Sequence, residues 1–154
     1  MRMGVISDTH ASGLNDIAPV ILDTLSNVDL IVHAGDFTRI SVLEGLRLMC
    51  PLKAVCGNMD SGNIKEVLTQ RELFTFGGKR IGLTHGSGAP WGITHRVIKM
   101  FEDTHDLDII IYGHSHKANR EMIGKTLLFN PGSARDSFGL IDIDGGIRAE
   151  IINI

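Results

Sequence analysis

Two aspartates, an asparagine and four histidines stand where runs of apolar residues stop. Gly4-Val5-Ile6-Ser7 leads into Asp8-Thr9-His10, Leu30-Ile31-Val32-His33-Ala34 into Gly35-Asp36, and Lys53-Ala54-Val55-Cys56 into Gly57-Asn58. Ile81-Gly82-Leu83-Thr84 leads into His85-Gly86, and Ile109-Ile110-Ile111-Tyr112 into Gly113-His114-Ser115-His116. Carboxylate, amide and imidazole without thiolate suit Mn²⁺, Fe²⁺, Co²⁺, Ni²⁺ or Zn²⁺ and argue against copper(I) or an iron–sulfur cluster. Seven ligands exceed what one ion usually takes from protein, but they suit two ions that share a carboxylate. A pair of ions roughly 3.5–4 Å apart can clamp the attacking and leaving oxygens of an in-line displacement and activate a water between them. Asn58 is a neutral oxygen ligand and adds no charge to repel a phosphate. Asp8 and His10 are two apart, as are His114 and His116, which at a strand end predicts both side chains of each pair on one face.

The elements that must position these residues follow from the spacing. The ligands at 8, 36, 58, 85 and 114 are separated by 28, 22, 27 and 29 residues, close to the ~30 residues of one strand–helix–strand unit. Read as strands, all five runs present their polar residue at the same end, the end at which open α/β sheets bind ligands. Helices are predicted over Asp16–Leu25, with Asn15 or Asp16 as cap, over Ile40–Met49 ahead of Pro51, over Ser61–Leu68, and over Thr94–Thr104. Glu72–Phe76 and Lys79–Thr84 form a hairpin pattern around Gly77-Gly78. From Lys117 onward the pattern is β only, with strands expected at Glu121–Ile123, Thr126–Phe129, Gly139–Ile143 and Ile147–Ile152.

The 154 residues suit one domain, 1–154, with 43% hydrophobic and 21% charged residues and a net charge of −3. That balance gives no basic footprint for nucleic acid, although a small phosphoester fits. The apolar runs are strand-sized, far short of the ~20 residues of a membrane span. Residues 1–7 are expected as a core strand and not as a cleaved leader. Cys50 and Cys56 read as reduced structural thiols, and the chain is expected to be cytoplasmic.

The order Asp8-Thr9-His10, Gly35-Asp36, Gly57-Asn58, His85-Gly86, Gly113-His114-Ser115-His116, with the turn Asn130-Pro131-Gly132-Ser133, resembles the calcineurin-like metallophosphoesterase superfamily. Within it the chain is similar to the small single-domain phosphodiesterases of bacteria and archaea, a branch that also contains the retromer scaffold subunit. The resemblance implies a four-layer α/β/β/α sandwich of two mixed sheets, with the metal site at the C-terminal ends of strands. It implies a dinuclear centre, with Mn²⁺ or Ni²⁺ favoured. Asp8, His10, Asp36 and His116 would hold one ion, and Asp36, Asn58, His85 and His114 the other, with Asp36 bridging. A metal-bridging hydroxide would attack phosphorus, making the chain a hydrolase of phosphodiesters that forms homo-oligomers in some relatives.

Two positions depart from the family pattern. Met59 stands where many members carry a histidine that protonates the leaving group, so Asp60 or a water is expected to act there. Ser87 replaces a second histidine after His85. These departures predict a preference for good leaving groups, and they keep open the alternative of a non-catalytic interaction scaffold on the same fold. A hydrolase of another bond, such as an amide, fits the order of the motifs less well. Arg39 and Arg135 are the cations to consider for phosphate contact or as ordinary surface residues. Trp91 and Pro90 read as a ring-stacking wall or a loop anchor. His33 reads as a wall residue or a buried strand histidine, and His95 and His105 as solvent-facing.

Overall fold

Two bundles of parallel strands, each extended at its margins by antiparallel partners, carry the motifs. The computed structural model describes residues 1–154. In the first sheet β1 (Arg2–Ile6), β2 (Leu30–His33) and β3 (Leu52–Ala54) run parallel. In the second sheet β4 (Arg71–Phe76) pairs antiparallel with β5 (Lys79–Thr84), which runs parallel to β6 (Ile109–Ile111). There β7 (Asn119–Ile123) is antiparallel to β8 (Thr126–Asn130), which is itself parallel to β6. The chain then returns to the first sheet, where β9 (Ser137–Ile143) lies antiparallel to β1 and β10 (Ile147–Asn153) closes the edge. The strand orders are β10-β9-β1-β2-β3 and β4-β5-β6-β8-β7.

The helices are α1 (Pro19–Leu25), α2 (Ile40–Met49), α3 (Gly62–Val67) and α4 (Ile93–Lys99). Alternation along each strand sorts its side chains into layers. Met3, Val5, Val32, Ile81, Leu83, Ile109, Ile111, Phe129 and Ile141 fill the space between the sheets. Ile6, Ile31 and Phe138 face outward onto Ile21 and Leu25 of α1, Leu43 and Leu46 of α2, and Ile64 of α3. Ile110, Tyr112 and Leu128 face outward onto Ile93 and Val97 of α4. The result is the α/β/β/α sandwich expected from the motifs.

Local departures have local causes. The first helix begins at Pro19, not Asp16, because Leu14–Asp16 forms a separate 3-10 turn and the Asp16 carboxylate accepts the Ser12 N–H at 2.8 Å. Pro19 lacks the N–H that a first helical residue leaves unpaired anyway. The fourth helix ends at Lys99 instead of reaching Thr104. Arg71 of β4 donates to the Met100 carbonyl at 2.8 Å and to Thr104 Oγ1 at 2.9 Å, so these groups are engaged across the chain and not along a helix. The third strand stops at Ala54, two residues short of Cys56, whose N–H turns to the Thr69 carbonyl at 2.9 Å. Gly77 and Gly78 have φ of 57° and 76°, the signature of a type I′ hairpin turn, and close β4 onto β5 as expected. Both cysteines are free thiols, and burial pushes each above its usual pKa. No helix is long and apolar enough to cross a membrane.

Candidate metal centre

The C-terminal ends of β1, β2 and β3 meet those of β5 and β6 across a cleft between the sheets. All seven predicted ligands are there, in the loops that leave those strands. The two-apart pairs are not placed by strand alternation, however. Strand β1 ends at Ile6 and β6 at Ile111, so Asp8, His10, His114 and His116 lie in loop backbone. Of the seven non-glycine residues with positive φ, five are Asp8 (52°), His10 (44°), Asp36 (62°), His114 (68°) and His116 (57°). Left-handed backbone is costly for such residues and persists where surrounding contacts over-determine it.

The contacts that fix these loops are specific. Ser7 Oγ donates to Asp8 Oδ2 at 2.6 Å and the His114 N–H donates to the same oxygen at 3.1 Å, so Oδ2 is used in joining the two sheets. Asp36 Oδ1 accepts the Met59 N–H at 2.8 Å. Asp60 is 4% exposed and its carboxylate accepts the N–H groups of Asp36 (3.1 Å), Thr38 (2.8 Å) and Gly57 (2.7 Å). Both of its oxygens are thus acceptors bound to backbone, which argues for the water rather than Asp60 as the proton source expected at the leaving group. Asp60 is an anchor for the Asp36 turn. Gly57 is required here because a Cβ would run into the Asp36 carboxylate and its backbone N–H. Asn130 Nδ2 donates to the Gly113 carbonyl and to Ser115 Oγ, both at 3.0 Å, tying the His114–His116 loop to the Asn130–Ser133 turn.

The remaining donor atoms converge. Asp8 Oδ1 lies 3.2 Å from His116 Nε2, 4.0 Å from His10 Nε2 and 3.9 Å from His85 Nε2. Asp36 Oδ2 lies 3.9 Å from His10 Nε2 and 3.3 Å from His85 Nε2. Asp8 Oδ1 and His10 Nε2 are buried without any hydrogen-bond partner, a state that costs free energy unless a ligand satisfies it. On the other side, His85 Nδ1 lies 2.7 Å from the Ala34 carbonyl and His114 Nε2 2.7 Å from the Gly88 carbonyl. Carbonyls only accept, so those nitrogens carry protons and leave His85 Nε2 and His114 Nδ1 as the inward atoms. They lie 3.3 Å from each other and 3.1 and 3.0 Å from Asn58 Oδ1.

Such a gathering of acceptor atoms calls for a cation among them. The electrostatics agree. Burial opposes charge on His85, but the Asp36 hydrogen bond and the charges of Asp8 and Asp36 outweigh it and raise its pKa. Burial likewise pushes the Asp36 carboxyl up, yet the His85 hydrogen bond and charge and the Met59 N–H bring it below its usual value. Two clusters suited to an ion emerge, Asp8-His10-His116 and Asp8-Asp36-His85.

Residues outside the cluster divide sharply. His33 is fully buried and stacks on Phe37 with ring centroids 3.5 Å apart. It accepts the Gly35 N–H at Nδ1 and contacts Thr9 Oγ1 through Nε2 at 3.1 Å, while Thr9 reaches the Asp36 carbonyl at 3.4 Å. Burial first, and the charge of His85 second, hold its pKa well below the usual histidine value, so it is a neutral brace. His95 and His105 are exposed, as expected. Arg39 and Arg135 are exposed, and neither side chain enters an ion pair or hydrogen bond within the chain. Trp91 is 81% exposed and anchors nothing. The anchor of its loop is Arg96, which donates to the carbonyls of Ser87 at 2.8 Å, Trp91 at 3.2 Å, and Ala89. Sequence reasoning missed the Asp60, Arg96 and Asn130 contacts. Two of them left a trace, Asp60 as an aspartate three residues after Gly57 in a turn-rich segment and Asn130 as the first residue of the Asn130-Pro131-Gly132-Ser133 turn.

Residues 1–144 match the calcineurin-like phosphoesterase superfamily domain. The chain belongs to that superfamily. It is 36% identical to a "probable metallophosphoesterase" of Methanothermobacter thermautotrophicus, over 99% of this chain and 92% of the relative. A phosphodiesterase of Methanocaldococcus jannaschii is 26% identical over 99% of each chain. Among solved structures, wild-type Vps29 of Entamoeba histolytica, crystallised with Zn²⁺, superposes with a TM-score of 0.74 at 26% identity, covering 99% of each chain. The cleft of this superfamily member therefore has relatives described as enzymes and a neighbour that is a vacuolar sorting protein.

Proposed function

We propose that the chain is a dinuclear metal-dependent phosphodiesterase and that the cleft between the sheets is its active site. The observation that carries this reading is the convergence of unsatisfied donor atoms. Asp8 Oδ1 and His10 Nε2 are buried without partners, and His85, His114 and Asn58 turn acceptor atoms toward one point. Asp8, His10, Asp36 and His116 would hold one ion, and Asp36, Asn58, His85 and His114 the other. Asp36 Oδ2 lies within 3.9 Å of His10 Nε2 and 3.3 Å of His85 Nε2, which supports Asp36 as the residue that would be shared. Two divalent ions, Mn²⁺ or Ni²⁺ foremost, would supply Lewis acidity toward a phosphoryl group and a water acidified for in-line attack.

The chain's own residues prepare that chemistry. Asp60 and Met59 N–H fix Asp36, Ser7 and His114 N–H leave only Asp8 Oδ1 free, and backbone carbonyls select the tautomers of His85 and His114. Neither Met59 nor Asp60 is set to protonate a departing alkoxide. Met59 is 60% exposed and Asp60 is committed to backbone, so diesters with good leaving groups are the favoured substrates. The E. histolytica Vps29 likeness supports the alternative of an interaction scaffold, but the complete ligand set favours the enzyme.

The decisive assay uses protein stripped with chelator and given bis(4-nitrophenyl) phosphate with and without Mn²⁺ or Ni²⁺. Turnover restored by metal, and lost in Asp36→Asn, supports the reading. No turnover with any divalent metal overturns it and leaves the scaffold.

A further inference from the structure

A cavity of about 280 Å³ opens directly beside Asn58 and His85. Its remaining wall includes Lys65 of α3, Gln70, Ser87, Cys56 and Met100. Lys65 is the only charged side chain in that wall besides the histidine, and no carboxylate lines it. The other clefts of 340–480 Å³ differ in this respect, since each carries at least one carboxylate, from Glu102, Glu121 or Glu72. Lys65 Nζ donates to the Asn58 carbonyl at 3.1 Å, which holds the ammonium at the rim of the metal cluster with two donors to spare. Ser87 keeps the space open, because its short side chain stands beside His85 in a loop that Arg96 holds back through the Ser87, Ala89 and Trp91 carbonyls.

Taking the cleft as the phosphodiesterase site described above, we propose that this cavity is the subsite for one ester arm of the substrate, and that Lys65 selects an arm bearing a second phosphate. The diester phosphorus would lie over the ligand cluster. The arm would run past Asn58 and His85, with Gln70 and Ser87 bonding its hydroxyls and Lys65 its terminal phosphate. The opposite ester oxygen leaves toward solvent on the side of Met59. In the hydrolysis a P–O bond forms to water, the P–O bond to the departing group breaks, and the water's proton is released to solvent.

The test uses two chromogenic diesters with the same leaving group, thymidine 5′-(4-nitrophenyl phosphate) with and without a 3′-phosphate. Bis(4-nitrophenyl) phosphate serves as the arm-independent reference for the phosphodiesterase reading itself. For wild type loaded with Mn²⁺, the 3′-phosphate is expected to lower KM about tenfold, as one added charge-assisted contact allows. In Lys65→Gln the ratio falls to within about twofold of unity. In Ser87→His, which fills the cavity, the KM ratio of the two nucleotide substrates likewise falls to within about twofold of unity. A wild-type ratio near one alongside good turnover of the reference overturns the subsite and spares the enzyme reading, as does a ratio that survives Lys65→Gln. If the reference is not turned over at all, binding decides. In metal-free protein, thymidine 3′,5′-bisphosphate must shift the backbone amide resonances of Lys65, Gln70 and Ser87, and shifts confined to other residues refute the proposal.

Discussion

The two sheets furnish the cleft with different chemistry. The first brings both carboxylates, the amide and one imidazole, through Asp8, His10, Asp36 and Asn58. The second brings three imidazoles, His85, His114 and His116, and no anion. Burial cuts across that division: the side chains of Asp8, Asp36 and His85 are 0%, 2% and 3% exposed, whereas Asn58 is exposed and His116 is 53% exposed. One wall therefore supplies both fixed carboxylates, desolvated at Asp8 and Asp36, and the other supplies imidazoles only, from the buried His85 to the solvent-facing His116. Neither wall alone gathers enough ligands for two ions. The centre is an interface between sheets, and it exists only when the layer of Val5, Val32, Leu83 and Ile111 between them is packed.

That contrast can be broken at several points. The largest effect is expected at the residue that faces both sets of ligands. Asp36→Ala should lower kcat/KM on bis(4-nitrophenyl) phosphate by about a thousandfold or more, the scale of losing metal-based charge stabilisation. Bound metal measured by elemental analysis should fall with it. Activity within tenfold of wild type would show that the charged wall is not the indispensable one.

Next comes the anchor behind that wall. Asp60→Ala strands the N–H groups of Asp36, Thr38 and Gly57, and should cost about 3 kcal/mol in urea unfolding. Asp60→Asn, which keeps one acceptor oxygen, should lose less. Equal losses in the two variants would deny the hydrogen-bond explanation.

The neutral wall should be more forgiving. Asn130→Ala releases the His114–His116 loop and is expected to weaken metal affinity about 10–100-fold, as removing supports behind ligands usually does. Isothermal titration with Mn²⁺ reads this directly. A larger loss than for Asp36→Ala would invert the ranking of the two walls.

The smallest effect lies at the end of the second sheet remote from the cleft. Asp108 accepts the Arg80 N–H at 2.8 Å and pairs with Lys79 at 3.3 Å, and these contacts, the Arg80 N–H foremost, lower its pKa. A depressed carboxyl stabilises the fold above its unfolded pKa of about 3.9, and that contribution disappears as pH falls through the lower folded value. Asp108→Asn should therefore lower Tm by about 1–2 °C at pH 7, and the difference should shrink as pH falls below the unfolded carboxyl range. Metal affinity at pH 7 should not change. A constant Tm difference across that range would mean the charge is irrelevant.

Much of the site was legible because ligand chemistry depends on residue type and order. Asp8, His10, Asp36, Asn58, His85, His114 and His116 were named from apolar runs and their closing residues, and the fold brings all seven to one cleft. The paired ligands converge by a different route from the one their spacing predicts. Alternation along a strand does not present Asp8 with His10, because β1 has already ended and left-handed loop backbone turns both inward. The surroundings of Asp60 are hidden from the sequence for a related reason. A carboxylate beside a metal motif resembles an acid in the sequence, but its three amide donors come from turns at 36–38 and 57 that only the folded chain brings together.

The sequence by itself determined the donor set, the strand–helix rhythm between donors and the β-only last quarter of the chain, since periodicity and side-chain chemistry are local properties. The tertiary structure decided how five strand ends divide between two sheets, which oxygen of each carboxylate stays free, which tautomer His85 and His114 adopt, and where the cavity beside Lys65 opens. Those outcomes rest on contacts between residues far apart in the chain, such as the His114 N–H on Asp8 and the Ala34 carbonyl against His85, and no local pattern encodes them.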